Sequence, residues 1–245
     1  MKFNCLWRVL LAIFPLDIVS AEDPLAGVTQ GYFDGKRPFD AVELVGERGH
    51  ILIPESGKIE SQWVFKAGVL TASPKWDSLV TPDHYQDFRM HVEFNVNSVV
   101  DVDPEKNGNS GIYIQKRYEL QILNSHGVSE GDYKASYAGS LYRQKKPDKL
   151  VSRPAGEWQS YDIVFRAARF KDGKRTENAR ISVQQNGVII HDDYALKNKT
   201  GAGEKEGANP GSIKFQGHHN PVRFRNAWIQ RLDLDEVKES EAPKL

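Results

Sequence analysis

Hydrophobic and polar positions alternate along most of this chain with the two-residue period of strands that bury one face. The segments Trp63–Leu70, Phe88–Val96, Gly111–Gln115, Tyr118–Leu123, Tyr161–Phe165, Ile181–Gln184 and Ile213–Gln216 carry the pattern and are rich in β-branched and aromatic residues. Turn chemistry separates them. Asn186-Gly187 is a strong hairpin signal, because both residue types tolerate positive φ, and Lys66-Ala67-Gly68 and Lys171-Asp172-Gly173-Lys174 mark further turns. No stretch of twelve or more residues keeps a helical period, so the pattern predicts an all-β chain of two packed antiparallel sheets.

The amino terminus departs from this pattern. Met1-Lys2 and Arg8 precede the apolar run Val9–Phe14, and small residues follow at Val19 and Ala21. That order predicts a secretory signal cleaved after Ala21, too short to span a bilayer, and hence a periplasmic or secreted protein. Cys5 precedes the apolar run, so it cannot be a lipoprotein acylation site, and the mature chain has no cysteine. Without disulfides its stability must come from a buried core, which about 220 residues can supply as one large sandwich. The expected division is a signal at 1–21, a flexible segment at 22–28, one domain over 29–235 and a charged tail at 236–245.

Charge narrows the partners. The chain has 33 basic and 33 acidic residues, a balance that argues against nucleic acid or an anionic membrane and suits a neutral ligand. Oligomeric state cannot be read from it. Two long loops need a reason, 97–108 and 197–210. The first holds Asp101, Asp103, Glu105 and Asn107, spaced like the start of a calcium loop, but Pro104 interrupts it and no bidentate Glu follows at the required distance. A solvated acidic loop is the plainer reading. Asn198-Lys199-Thr200 matches a glycosylation acceptor and is given no role.

Candidate chemistry gathers in two segments. In Tyr118–Leu123, Tyr118, Leu120 and Ile122 share an apolar side, leaving Glu119 and Gln121 together on the other, about 7 Å apart along the strand. In the second segment Lys214, Gln216 and His218 share one face by parity. A reversal at His219-Asn220-Pro221 is expected to return Arg223 or Arg225 beside them. A carboxylate, a histidine and an arginine so arranged could do acid–base work, while an ordinary solvated face is the alternative for both segments. His218 and His219 point to opposite faces and do not suit one metal ion. Tyr137, Tyr142, Trp76 and Trp158 are candidate rings for stacking on a sugar, whereas Trp63 and Trp228 sit in core-like runs. Tyr142, on one face with Ser140, is the first choice, with a core role as the alternative.

These residues lie in an extended set of short motifs that resembles the 3-keto-disaccharide hydrolase domain family. The motifs are Phe33-Asp34-Gly35-Lys36, Trp63 with Gly68-Val69-Leu70, Tyr85 to Phe88, Asn109 to Ile114, Tyr118 to Ile122, Gly139 to Tyr142, Gly156 to Gln159, Asn186-Gly187-Val188 and Phe224 to Ile229. Each is weak alone, but their joint order covers roughly 200 residues. Departures occur after Lys36, where the family's tryptophan is missing, at Gln115 in place of an expected arginine, and at Asn124 where aspartate is common. If that arginine or aspartate touches substrate, this member differs in specificity or is inactive.

The resemblance implies a concanavalin/laminin-G-like jelly-roll sandwich and substrates oxidised to a ketone at carbon 3 of the sugar. The ketone acidifies the proton on carbon 2, so the glycosidic bond can break by elimination followed by hydration rather than by paired carboxylates. It implies Glu119 as base, His218 as acid, Arg225 with Gln121 as ligands of the enolate or hydroxyls, Tyr142 as stacking platform, and Gln216 and Asn109 as further substrate ligands. No cofactor is expected. A divalent ion could stabilise the enolate instead, but no ligand set is specific enough to assign one. Two other readings compete on this fold. A carbohydrate-binding lectin would show a shallow groove with solvated carboxylates, and the enzyme a closed cleft with a perturbed one. A docking scaffold would show an exposed apolar stripe on a sheet edge, and the alternation reveals none.

Overall fold

A computed structural model of the chain describes residues 32–34, 36–58, 62–73, 75, 77–96 and 107–234. The expected signal, the 22–28 segment and the 236–245 tail lie outside the described residues, as do Asp101, Asp103, Glu105 and Trp76. The described elements are fifteen strands. They are β1 (Val42–Val45), β2 (Ile53–Pro54), β3 (Val64–Lys66), β4 (Val69–Thr71), β5 (Leu79–Val80), β6 (Asp87–Asn95), β7 (Ser110–Ile114) and β8 (Tyr118–Ile122). After these come β9 (Trp158–Arg166), β10 (Arg169–Lys171), β11 (Lys174–Glu177), β12 (Ala179–Gln185), β13 (Val188–Leu196), β14 (Lys214–Phe215) and β15 (Arg223–Leu232).

The strands form a sandwich of the jelly-roll type. An eight-stranded sheet runs β13-β12-β9-β6-β15-β4-β3, with β1 also on β15, and a five-stranded sheet runs β2-β5-β14-β7-β8. All pairings are antiparallel. Between the sheets lie Phe88, Met90, Val92 and Phe94 of β6, Phe224 and Ile229 of β15, Ile112 and Ile114 of β7, and Tyr118, Leu120 and Ile122 of β8. Each such side chain withdrawn from water is worth about 1.5–3 kcal/mol, which is how the cysteine-free sandwich offsets chain entropy. Trp63 belongs to this packing, stacked 5.7 Å from Phe224.

The turns follow the chemistry read from the sequence. Ala67-Gly68, Asp172-Gly173 and Asn186-Gly187 all have positive φ and close the β3–β4, β10–β11 and β12–β13 hairpins. A fourth turn does so without glycine. Gln115 and Lys116 have φ of 53° and 55° at the β7–β8 reversal, a conformation costing roughly 1 kcal/mol per residue. The buried Gln115 carboxamide offsets that cost by donating to the Tyr85 carbonyl (2.8 Å) and accepting from Arg117 (2.8 Å). Exposed apolar side chains occur singly at the edges, Ile53 on β2 and Val64 on β3, and form no shared stripe, since the two strands belong to different sheets. Among the described residues no helix is long and apolar enough to cross a membrane.

Candidate functional site

The five-stranded sheet turns one face to the core and the other to a cavity of 370 Å³. Pairing across the β7–β8 hairpin sets Gly111 opposite Gln121 and Tyr113 opposite Glu119, all on the cavity face. The adjoining strand β14 carries the chain into Gln216 and His218, which line the same cavity with Asn109. Tyr142 and Arg143 form one part of its wall, and Thr200, Gly201 and Ala202 another.

Glu119 is the centre of this arrangement. Its carboxylate accepts a hydrogen bond from the Tyr113 hydroxyl (2.8 Å) and lies over Gly111, where a Cβ would stand 2.7 Å from Oε1. Its backbone is held by both segments along the free edge of β8. The Glu119 N–H donates to Thr200 Oγ1 (2.9 Å), and its carbonyl accepts from the Tyr142 N–H (3.0 Å). Burial pushes the carboxyl from 4.5 up to about 7, against the Tyr113 hydrogen bond and the positive charges of Lys214 and Arg143, which pull it down. Such a group is half ionised near neutral pH and is suited to taking a proton and giving it back.

The rest of the cavity is polar and firmly seated. The Gln121 amide reaches Asn109 Oδ1 at 3.4 Å, and Asn220 Oδ1 accepts from the N–H groups of Gly108 (2.6 Å) and Asn109 (3.1 Å). Lys214 lies 5.2 Å over the Tyr113 ring and is paired with Glu55 at 2.7 Å. Burial alone would raise the Glu55 carboxyl, but Lys214 and Lys116 together hold it below the usual range. Lys116 in turn grips Glu204 at 2.6 Å, so the 197–210 loop is fastened to the β7–β8 turn beneath it. That is the reason such a long loop is ordered here.

The structure therefore brings Glu119, Gln121, Gln216, His218, Asn109 and Tyr142 to one cavity and leaves Arg225 out. The expected hairpin does not form at His219-Asn220-Pro221. The chain crosses there from the five-stranded sheet to the eight-stranded one, so β14 and β15 do not pair. Arg225 alternates with the core residue Phe224 and points away from the sandwich, bonded to Glu93 (2.6 Å) and 4.0 Å over Trp158. Arg223, on the same side, donates to Asn95 (2.7 Å). Trp158 belongs to that far surface, and Tyr137 is buried against Tyr133, so neither lines the cavity.

His218 also departs from expectation. Burial, then the neighbouring His219, lowers its pKa, so it stands as a neutral imidazole near pH 7 and not as the ready proton donor expected. The cation the cavity does have is Arg143, which has φ of 59°, lies 5.2 Å over the Tyr142 ring and acts on Glu119 through its charge without a direct ion pair to any carboxylate among the described residues. Gln115 and Asn124, the two departures at issue, do not line the cavity. Tyr113 could have been found by counting outward from the β7–β8 turn, which pairs it with Glu119. Arg143 and Thr200 carry no comparable sequence signal. Among the described residues no group of three or more His, Cys, Asp or Glu side chains is placed to hold a metal ion.

Comparison with known proteins agrees with this architecture. Residues 51–230 match the family model described as a 3-keto-α-glucoside-1,2-lyase-like domain. A crystal structure of a candidate glycosyl hydrolase from Parabacteroides distasonis is similar at 30% identity and a TM-score of 0.72, covering 80% of this chain and 85% of that one. Two further candidate glycosyl hydrolases from that organism speak for the fold alone. One is 22% identical with a TM-score of 0.54, covering 78% of this chain and 99% of its own, and the other 20% identical with 0.52, covering 82% and 92%. No curated protein matches the chain.

Proposed function

Since the chain belongs to the 3-keto-α-glucoside-1,2-lyase-like family, we propose that it cleaves 3-keto-glycosides by base-assisted elimination followed by hydration, with Glu119 as the base. The observation that carries this reading is the Glu119 carboxylate, 4% exposed at the cavity floor, hydrogen-bonded by Tyr113 and raised to about 7. A hydroxyl ligand in a lectin works best as a standing anion. A base must be tuned near the working pH, and a perturbed carboxylate in a cleft favours the enzyme.

The chemistry needs four things from the chain. Glu119 removes the proton from carbon 2, and the electron pair delocalises onto the carbon 3 oxygen as an enolate. Arg143, the unpaired guanidinium at the wall, takes the enolate-stabilising part expected of Arg225. The bond from carbon 1 to the departing oxygen then breaks and leaves a double bond between carbons 1 and 2. The proton now on Glu119 becomes the cavity's acid for that oxygen, while the neutral His218 holds it by a hydrogen bond. Water adds next, its hydroxyl to carbon 1 and a hydrogen to carbon 2, so the sum is hydrolysis. Tyr142 offers its ring as the platform on which the sugar lies.

The test is turnover of methyl 3-keto-glucoside deuterated at carbon 2 by the purified protein. Methanol release with loss of deuterium to solvent, abolished in Glu119→Gln, is the expected result. Release with deuterium retained would replace elimination by displacement. Saturable binding without release would leave a lectin.

A further inference from the structure

Two oxygens in the cavity have no hydrogen-bond donor among the described residues. Gln121 Oε1 and Gln216 Oε1 are both withdrawn from solvent and unpartnered, although each side chain lines the cavity. Gln121 as a whole is only 2% exposed, and its backbone is fully engaged, its N–H on the Ser140 carbonyl (3.0 Å) and its carbonyl accepting from the Gly139 N–H (3.0 Å) and the Tyr161 hydroxyl (2.6 Å). With the backbone so fixed, the side chain leaves β8 on the cavity face. Gln216 is tethered likewise, its N–H donating to the Gly111 carbonyl (3.0 Å) while its Oε1 stands 3.3 Å from where a Gly111 Cβ would be. A buried carbonyl oxygen without a donor costs the desolvation it never recovers, so such atoms mark places where something else supplies a hydrogen.

We infer that this cavity selects sugars presenting two free hydroxyl donors, one to Gln121 Oε1 and one to Gln216 Oε1, and rejects rings in which either is deoxygenated, alkylated or replaced by an anionic group. The inference rests on the proposed function, since it takes the occupant to be a 3-keto-sugar. Both glutamines flank Gly111, Gln121 paired with it on β8 and Gln216 bonded to it just past β14, and the Glu119 carboxylate lies over the same glycine. An acceptor group at either place would meet an acceptor, with the Glu119 carboxylate beside it, so a carboxylate or phosphate there is repelled as well as unpaired.

The experiment measures binding and turnover separately for methyl 3-keto-glucoside and its 2-deoxy, 4-deoxy and 6-deoxy analogues. Two of the three deoxy positions lose affinity about tenfold to a hundredfold, and the third does not. In Gln121→Met one of those two losses disappears, and in Gln216→Met the other, because the acceptor that sensed the hydroxyl is gone. Equal affinity for all three analogues in the native protein overturns the inference, whether or not the variants fold. Turnover with equal affinities leaves the proposed reaction standing and sinks the hydroxyl readout. Discriminating binding without turnover does the reverse. If the parent 3-keto-sugar does not bind at all, both fail.

Discussion

Tyr113 and Glu119 face each other across the β7–β8 hairpin, and the tyrosine hydroxyl donates a 2.8 Å hydrogen bond to the carboxylate. The bond favours the ionised carboxylate, opposing the burial that raises it. In Tyr113→Phe the Glu119 pKa therefore rises above about 7. The acid limb of the pH dependence of kcat/KM shifts upward, with activity depressed near pH 6 and recovering toward pH 9. An unmoved limb would mean that Tyr113 does not set the basicity of Glu119.

The same carboxyl makes stability depend on pH. Its folded-state pKa is raised, so between about 4.5 and about 7 the folded chain holds a proton that the unfolded chain has released. Stability from this group is complete below that window and is lost as pH rises through it. Glu119→Gln should abolish turnover, a base being worth about 10²- to 10⁴-fold, yet gain up to about 3 kcal/mol over the native protein at pH 8 and little at pH 4. Denaturant unfolding at the two pH values measures the difference.

Arg225 and Arg143 separate the two surfaces. Arg225→Ala removes an exposed pair with Glu93 and a contact with Trp158, costs about 1 kcal/mol or less, and leaves kcat/KM unchanged. Arg143→Gly removes the guanidinium of the cavity while relieving a backbone held at φ of 59°, so stability changes by less than about 1 kcal/mol. Its kcat/KM nonetheless falls by about a hundredfold. The reverse ranking in a side-by-side assay would return the enolate role to Arg225.

The contrast between those arginines shows what was legible in the sequence. Strands, hairpins and the shared face of Glu119 and Gln121 follow from local rules: a two-residue period, and Asn186-Gly187 or Asp172-Gly173 where positive φ is needed. The segment after His218 obeys no local rule. A polar, proline-bearing turn serves a hairpin and a crossing between sheets equally well, and the choice is made by Phe215 and Phe224 packing edge to face, 5.2 Å apart, from different sheets. The bulge between Arg225 and Trp228, with Asn226 at φ of 43°, then changes the side of every following residue. Arg143 was invisible for a similar reason, since nothing in its own neighbourhood announces a left-handed arginine.

The rim of the cavity offers the last test. Gly203 packs its Cα against the β7–β8 turn, where a Cβ would stand 2.2 Å from the Arg117 carbonyl oxygen and 2.9 Å from its carbon, both backbone atoms that cannot yield. Around it the Thr200 N–H donates to Arg117 (2.8 Å), the Glu204 N–H to Lys116 (2.8 Å) and Thr200 Oγ1 accepts from Glu119 (2.9 Å). Gly203→Ala must lift this loop and break those bonds, at about 1 kcal/mol each, taking Thr200, Gly201 and Ala202 away from the cavity. Gly207→Ala, in the same loop but with nothing closer than 4.0 Å, is the control and should behave as the native protein. The expected outcome for Gly203→Ala is a kcat/KM at least tenfold lower together with faster hydrogen exchange at the Glu119 amide. Because that amide is sheltered by Thr200 and not by a neighbouring strand, its exchange reports on the loop directly. Native exchange and native kcat/KM in Gly203→Ala would show that the loop's seat on the turn does not hold the base.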